Sequence, residues 1–183
     1  EPRRTPGVLP LAWGYDPAYV RMGEMPQKRW SFCLRGTENP YRKELAEAFE
    51  RAGPGGFKAV FGPPTSRDAW CLELKQSLVT LCDHDEGYLS GRVVDAMAAG
   101  CLVLAKPSPS MDMLAPRGYV PVRKRADGWP DIDDVIEKTT AMWKEFRSAG
   151  TTWVLTTGQA KECVRHLTWD NQLLRVLGSI GVR

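Results

Sequence analysis

The sequence has no Walker-type phosphate loop, no G-x-G-x-x-G fingerprint and no Ser-His-Asp arrangement. These absences remove the motif-bearing P-loop proteins, dinucleotide-fingerprint dehydrogenases and serine hydrolases as direct readings. No apolar run approaches the length of a membrane span, and no secretory signal is visible. Internal repeats and low-complexity tracts are also missing. Charge of one sign does not dominate: the net value is +3, with acids and bases spread along the chain. That balance argues against a dedicated nucleic-acid-binding surface. The five cysteines, at 33, 71, 82, 101 and 163, lack paired spacing and mostly lie inside apolar runs. They read as buried free thiols of a reducing, cytoplasmic compartment, and a zinc site is not expected.

What is present is enough for one well-buried domain: 183 residues, 43% of them hydrophobic. The chain begins at Glu1 in a Pro- and Arg-rich stretch, which suggests a fragment, a processed form or a trimmed chain. Prolines at 2, 6, 10, 17 and 26, with glycines at 7, 14 and 23, forbid a long helix in residues 1–29. That stretch is expected to be an extended arm or interdomain linker, and residues 30–183 the domain.

Strand and helix signals alternate after the arm. Trp30–Arg35 reads as a first strand ended by Gly36, followed by a helix from about Tyr41 to Ala52. Phe57–Phe61 reads as a second strand, and Ser66–Lys75 as a short helix. The turn at 53–56 lies between elements and is no phosphate loop. Leu78–Cys82 is β-branched and apolar enough for a buried strand. Asp83–Gly91 is an acidic loop. Val93, Val94, Ala96, Met97 and Ala98 make a tightly packing helix, Gly100 its C-terminal stop, and Cys101–Ala105 another buried strand. Beyond lie a Pro/Ser loop, a helical turn near Met111–Leu114, a strand at Gly118–Val122 and a helix over Asp131–Ser148. Two further helices are expected over Gly158–Leu167 and Trp169–Leu177. This alternation predicts an α/β fold with a doubly wound, mainly parallel sheet. Ligands of such sheets bind at the loops leaving the carboxyl ends of strands, which singles out Asp83–Arg92.

Arg92 stands at the start of the central helix, where a cation opposes the helix dipole unless an anion is bound there. Arg35 ends the first strand, and Gly91 lets backbone approach a ligand closely. Asp83, His84, Asp85 and Glu86 invite a metal reading, yet consecutive residues rarely converge on one ion, so a solvated acidic loop is expected. The tryptophans at 13, 30, 70, 143 and 153 read as core or interface residues.

The run Ser90-Gly91-Arg92-Val93-Val94-Asp95-Ala96-Met97-Ala98-Ala99-Gly100 resembles the nucleotide-sugar-binding half of GT-B glycosyltransferases. The nearest likeness is to the spore-maturation-type, family-1-like group, and a more distant one is to exostosin-like enzymes. Supporting segments are Leu9–Pro17, Phe32–Arg42 with its Asn-Pro-Tyr-Arg turn, and His166–Asp170. Asp95 stands where the family carries Glu, and Gly87 where many relatives carry an acid, with Glu86 beside it. The resemblance implies a Rossmann-like half of a GT-B fold whose last helix packs on an N-terminal half, or on a partner chain. It further implies transfer of a sugar from a nucleoside-diphosphate sugar, UDP being the commonest carrier, with no metal or other cofactor. Arg92 and Arg35 would stabilise the departing diphosphate. Gly36, Ser90, Gly91, Arg92, Asp95, Glu86 and Ser108 would hold the donor, Asp95 through the ribose hydroxyls and His84 or Glu86 towards the sugar. The acceptor stays open among glycan, protein, lipid and modified DNA base. The alternative is a non-catalytic nucleotide-binding or protein-interaction module of the same fold.

Overall fold

The computed structural model describes residues 27–53, 58–83, 90–112, 119–149 and 173–174. At its centre is β3, Ser77–Cys82, buried at every position. A strand covered on both faces must be apolar throughout, and Leu78, Val79, Leu81 and Cys82 supply that. Around it lie β1 (Trp30–Arg35), β2 (Ala59–Gly62), β4 (Leu102–Ala105) and β5 (Val120–Pro121). All pair in parallel in the order β2-β1-β3-β4-β5. The expected doubly wound α/β sheet is therefore the observed one. Its order is one of the two common doubly wound arrangements.

Helices α1 (Pro40–Ala52), α2 (Arg67–Gln76), α3 (Gly91–Ala98), α4 (Pro109–Asp112) and α5 (Ile132–Ala149) make the connections and the covering layers. α1 packs with α5, and α2 with α3. Local chemistry explains each start and stop. The Asn39 side chain accepts from Arg42 N at 2.8 Å and Pro40 fills the first helical position. Ser66 caps α2 by accepting from Ala69 N. α3 ends with Gly100 at φ +70°, where Cys101 N bonds Ala96 O and Gly100 N bonds Met97 O. Only glycine takes that backbone shape without strain.

The boundaries shift slightly from the sequence reading. β2 starts two residues later than expected, α4 forms earlier, and β5 keeps only two residues of the expected Gly118–Val122. Such ends are set by pairing partners, which periodicity does not show. The arm through residue 26, the helix expected over 158–167, and most of that expected over 169–177 lie outside the described residues; Leu173 and Leu174 are helical. Lys28, on the arm side of the expected boundary, is buried and donates to Ser77 O and Gly100 O, each at 2.7 Å. It ties the approach to β1 to the amino ends of β3 and β4. Among the described residues no helix is long and apolar enough to cross a membrane.

The core is continuous through both helical layers. Phe32 of β1 has no exposed surface and stacks on Phe49 of α1 at 4.5 Å, with Phe61 of β2 at 5.5 Å. Phe32→Ala should lower the free energy of unfolding by about 3–5 kcal/mol, read from urea denaturation. A loss below about 1 kcal/mol would show that this aromatic triplet does not anchor α1 to the sheet.

Candidate functional site

The sheet reverses its winding between β1 and β3, so the crevice outside their carboxyl ends is where a ligand of this architecture would sit. β1 delivers Arg35 and Gly36 there; β3 delivers Cys82 and Asp83. Asp83 is not the solvated loop residue expected. Its side chain has no exposed surface, and Arg42 from the first turn of α1 holds it by two hydrogen bonds. Nε donates to Oδ2 at 2.6 Å and Nη2 to Oδ1 at 3.1 Å. The third guanidinium nitrogen donates to Thr37 O at 2.7 Å. Being the first residue past a fully buried strand is what buries Asp83, and a buried carboxylate needs a partner.

Gly36, expected to approach the donor, lies instead under the Arg42 guanidinium, and a Cβ there would collide with it. Its N–H donates to Gly62 O at 3.0 Å. Arg35 runs over Gly62 in the same manner. Its guanidinium meets Glu73 of α2 at 2.9 and 2.6 Å and Phe61 O at 3.0 Å. Arg35 therefore begins at the mouth, but its charge is already matched by Glu73.

Arg92 differs. It lies over the Trp70 ring of α2, 5.8 Å from the centroid, and its buried Nη1 has no hydrogen-bond partner. Burial disfavours its charge, and the Asp83 carboxylate opposes that effect while the Arg42 cation adds to it. Ser90 stands at the N-cap of α3 but makes no capping bond, and the first turn of α3 holds no acid. Its hydroxyl is 3.9 Å from Cys82 Sγ. A helix start with no side-chain cap, no acid and a half-buried arginine is a local arrangement that an anion would complete.

The remaining expected residues spread out from this point. Asp95, one turn further along α3, is half-buried; burial pushes its carboxyl up and Arg67, at the start of α2, pulls it back. Ser108 follows β4 and accepts from Met111 N at 3.2 Å, capping α4. Glu86, His84 and Gly87 lie outside the described residues. The structure pairs Arg42 with Asp83, leaves Arg92 against Trp70 within the electrostatic influence of both, and assigns Arg35 to a separate pair with Glu73.

On the α1 flank, Tyr41 stacks on Trp129 with centroids 4.9 Å apart, and Lys106 reaches over from β4 to donate to Gly128 O. A cavity of about 350 Å³ opens between α1 and β2, with Arg42 and Gly36 on its wall beside Leu34, Phe61 and Pro63. Sequence reasoning missed Arg42 as a site residue although it closes the Asn-Pro-Tyr-Arg turn. The available signal was Asp83 itself, an acid directly after an unbroken apolar strand.

A parallel doubly wound sheet with its switch point between β1 and β3 defines a Rossmann-like α/β domain. No family model matches the chain, and no curated protein matches it. Solved structures do. It is similar to the crystal structure of a GtfA/B complex, with a TM-score of 0.58 at 9% identity over 85% of this chain. It is similar also to a sucrose-phosphate synthase from Thermosynechococcus elongatus, with a TM-score of 0.54 at 17% identity over 81% of this chain. The chain spans 37% of each of those chains. At these identities the likeness is one of fold, a Rossmann-like α/β sheet.

Asp83→Ala would leave the Arg42 charge buried and should destabilise the protein by about 3–5 kcal/mol. Glu73→Ala breaks a pair whose side chains are about one-fifth exposed and should cost about 1 kcal/mol. Urea unfolding of the two variants checks this order, and the reverse order would contradict it.

Proposed function

We propose that this chain is the donor-binding half of a glycosyltransferase and takes a nucleoside-diphosphate sugar, a UDP-sugar first, at the mouth between β1 and β3. The observation that carries the reading is Arg92: a half-buried guanidinium with an unpartnered Nη1 at an uncapped helix start. A diphosphate supplies the missing acceptors and charge. The fold and the sequence resemblance to spore-maturation-type GT-B enzymes supply the sugar nucleotide and the choice of UDP.

In this reading Arg92 and the N–H groups at the start of α3 bind the diphosphate and stabilise it as it departs. Gly91 leaves room for the phosphate against the backbone, and Ser90, Glu86 and Ser108 surround the donor. Asp95 accepts from the ribose hydroxyls, aided by burial that keeps water away. Arg35 joins as the second catalytic cation only by exchanging Glu73 for phosphate. Gly36 acts indirectly, by letting Arg42 lie flat beside Asp83. An N-terminal half or a partner chain brings the acceptor, a reading supported by a neighbour that is itself described as a complex. Four free buried thiols, at Cys33, Cys71, Cys82 and Cys101, support work in the reducing cytoplasm.

The engagement of Arg35 by Glu73 favours a second reading, a module that binds the nucleotide without transferring sugar. Release of free nucleotide from the sugar nucleotide, with and without an acceptor, separates the two.

A thermal-shift panel of UDP, GDP, ADP and their glucose conjugates tests the site. The preferred ligand, at about 100 times its Kd, should add about 2.7 kcal/mol of stability. Arg92→Ala should weaken that binding by about tenfold or more, equivalent to about 1.4 kcal/mol. No stabilisation by any of these at millimolar concentration would overturn the reading.

A further inference from the structure

β2 is the outermost strand on its side of the sheet, and all four of its residues are half-exposed, unlike those of the buried β3 and β4. Its inner backbone groups are turned to β1: Ser31 N donates to Lys58 O at 2.9 Å and Gly36 N to Gly62 O at 3.0 Å. Backbone groups alternate sides along a strand, so those of Ala59 and Phe61 point away from the sheet. Arg35 engages the Phe61 carbonyl from there at 3.0 Å. The Phe61 side chain turns to α1, its ring 5.6 Å from that of Phe49, and Ala59 shares that face. Two adjoining cavities, of about 350 and 470 Å³, lie along this face and share Ala46 and Phe61 as walls. They make one groove between α1 and β2, from Pro63 at the carboxyl end to Trp30 and Lys58 at the amino end.

We propose that residues 9–15 of this chain fill that groove as a sixth strand, antiparallel to β2. These residues precede the described part of the chain. Leu9, Leu11, Trp13 and Tyr15 alternate with Pro10, Ala12 and Gly14, which gives the strand one bulky apolar face and one small one. The segment carries no charge. The rim of the groove is balanced, with Glu38 and Glu50 against Lys43 and Lys58, so it selects for neither an acidic nor a basic peptide.

Pro10 sets the direction. On β2 the residues that face α1 are those whose backbone groups point outward. A parallel neighbour repeats that relation, so with its bulky residues in the groove it would turn Pro10, which has no N–H, towards β2. An antiparallel neighbour inverts it: the bulky residues bond to β2 and Pro10 faces solvent, where an edge strand tolerates proline. Connectivity agrees. An antiparallel strand ends at the amino end of the sheet, and the chain re-enters there, with Lys28 bonded to Ser77 O and Gly100 O. Residues 16–26 can extend to about 36 Å, whereas four strand spacings need only about 20 Å. An antiparallel edge strand on an otherwise parallel sheet is a common arrangement.

The test is amide exchange and interstrand NOE mapping by NMR on the full chain, comparing wild type, Leu11→Asp/Trp13→Asp and Ala12→Pro. The Ala59 and Phe61 amides should exchange about 100-fold more slowly in wild type than in the double variant, while Val60, turned to β1, is protected in both. Ala12→Pro should keep the wild-type protection, because its missing N–H faces solvent. NOEs in wild type should join the odd-numbered residues of 9–15 to Phe61 and Ala59, the earlier residue at Phe61. Rapid exchange of both amides in wild type, or equal protection in the double variant, would overturn the proposal. Loss of protection in Ala12→Pro would overturn the antiparallel pairing. Protection that falls on dilution would assign the edge to a second copy of the chain and overturn it too. Should the double variant lose protection at Val60 as well, the wild-type NOEs decide, and their absence sinks the proposal.

Discussion

Asp83 leaves the end of the most deeply buried strand with no solvent to receive its charge, and Arg42 meets it with two hydrogen bonds. Much of the mouth follows from that one pair. To reach Asp83 the guanidinium must lie across Gly36, so the residue after β1 has to lack a side chain. Its remaining nitrogen donates to Thr37 O, which holds the connection between β1 and α1. The first turn of α1 is thereby pulled over the sheet, and Tyr41 is set beside Trp129 on the same flank. A buried ion pair adds little net stability compared with apolar packing, but losing one member is severe. Its effect here is geometric: it fixes two loops of the switch point relative to each other.

The same pair defines the electrostatics of the crevice. With Asp83 matched by Arg42, the further cation, Arg92, sits half-buried against Trp70 with one nitrogen unpartnered and no acid in its own helix turn. Arg35, by contrast, is balanced by Glu73 and serves to join β1, β2 and α2. The two arginines that look equivalent in sequence thus have different work. One completes a layer of the fold; the other leaves an incomplete coordination at the mouth.

The framework was legible in the sequence because apolar strands and turn residues alternate without interruption. Leu78–Cys82 and Cys101–Ala105 read as buried strands and Gly100 as a helix stop; the strands form over Ser77–Cys82 and Leu102–Ala105, and the stop is where it was read. The parallel sheet followed from that alternation. The site was less readable, since side-chain pairing across forty residues leaves no local trace. Asp83 looked like one member of an acidic run, and only the depth of the strand before it separates it from that run. Arg42 looked like part of a turn, because what it reaches is supplied by another strand. β5 proved shorter than its apolar run for a related reason: its extent depends on how much of β4 is left to pair with.

The central claim is that the crevice around Asp83 receives a nucleotide. The most direct measurement is residue-resolved amide mapping by NMR during titration with UDP-glucose. The account predicts that the largest shifts fall on Gly91, Arg92 and Val93 at the start of α3, on Asp83, and on Tyr41 and Arg42 in the first turn of α1. Shifts confined to the groove between α1 and β2, around Phe61 and Pro63, would contradict it, as would no shifts at millimolar ligand.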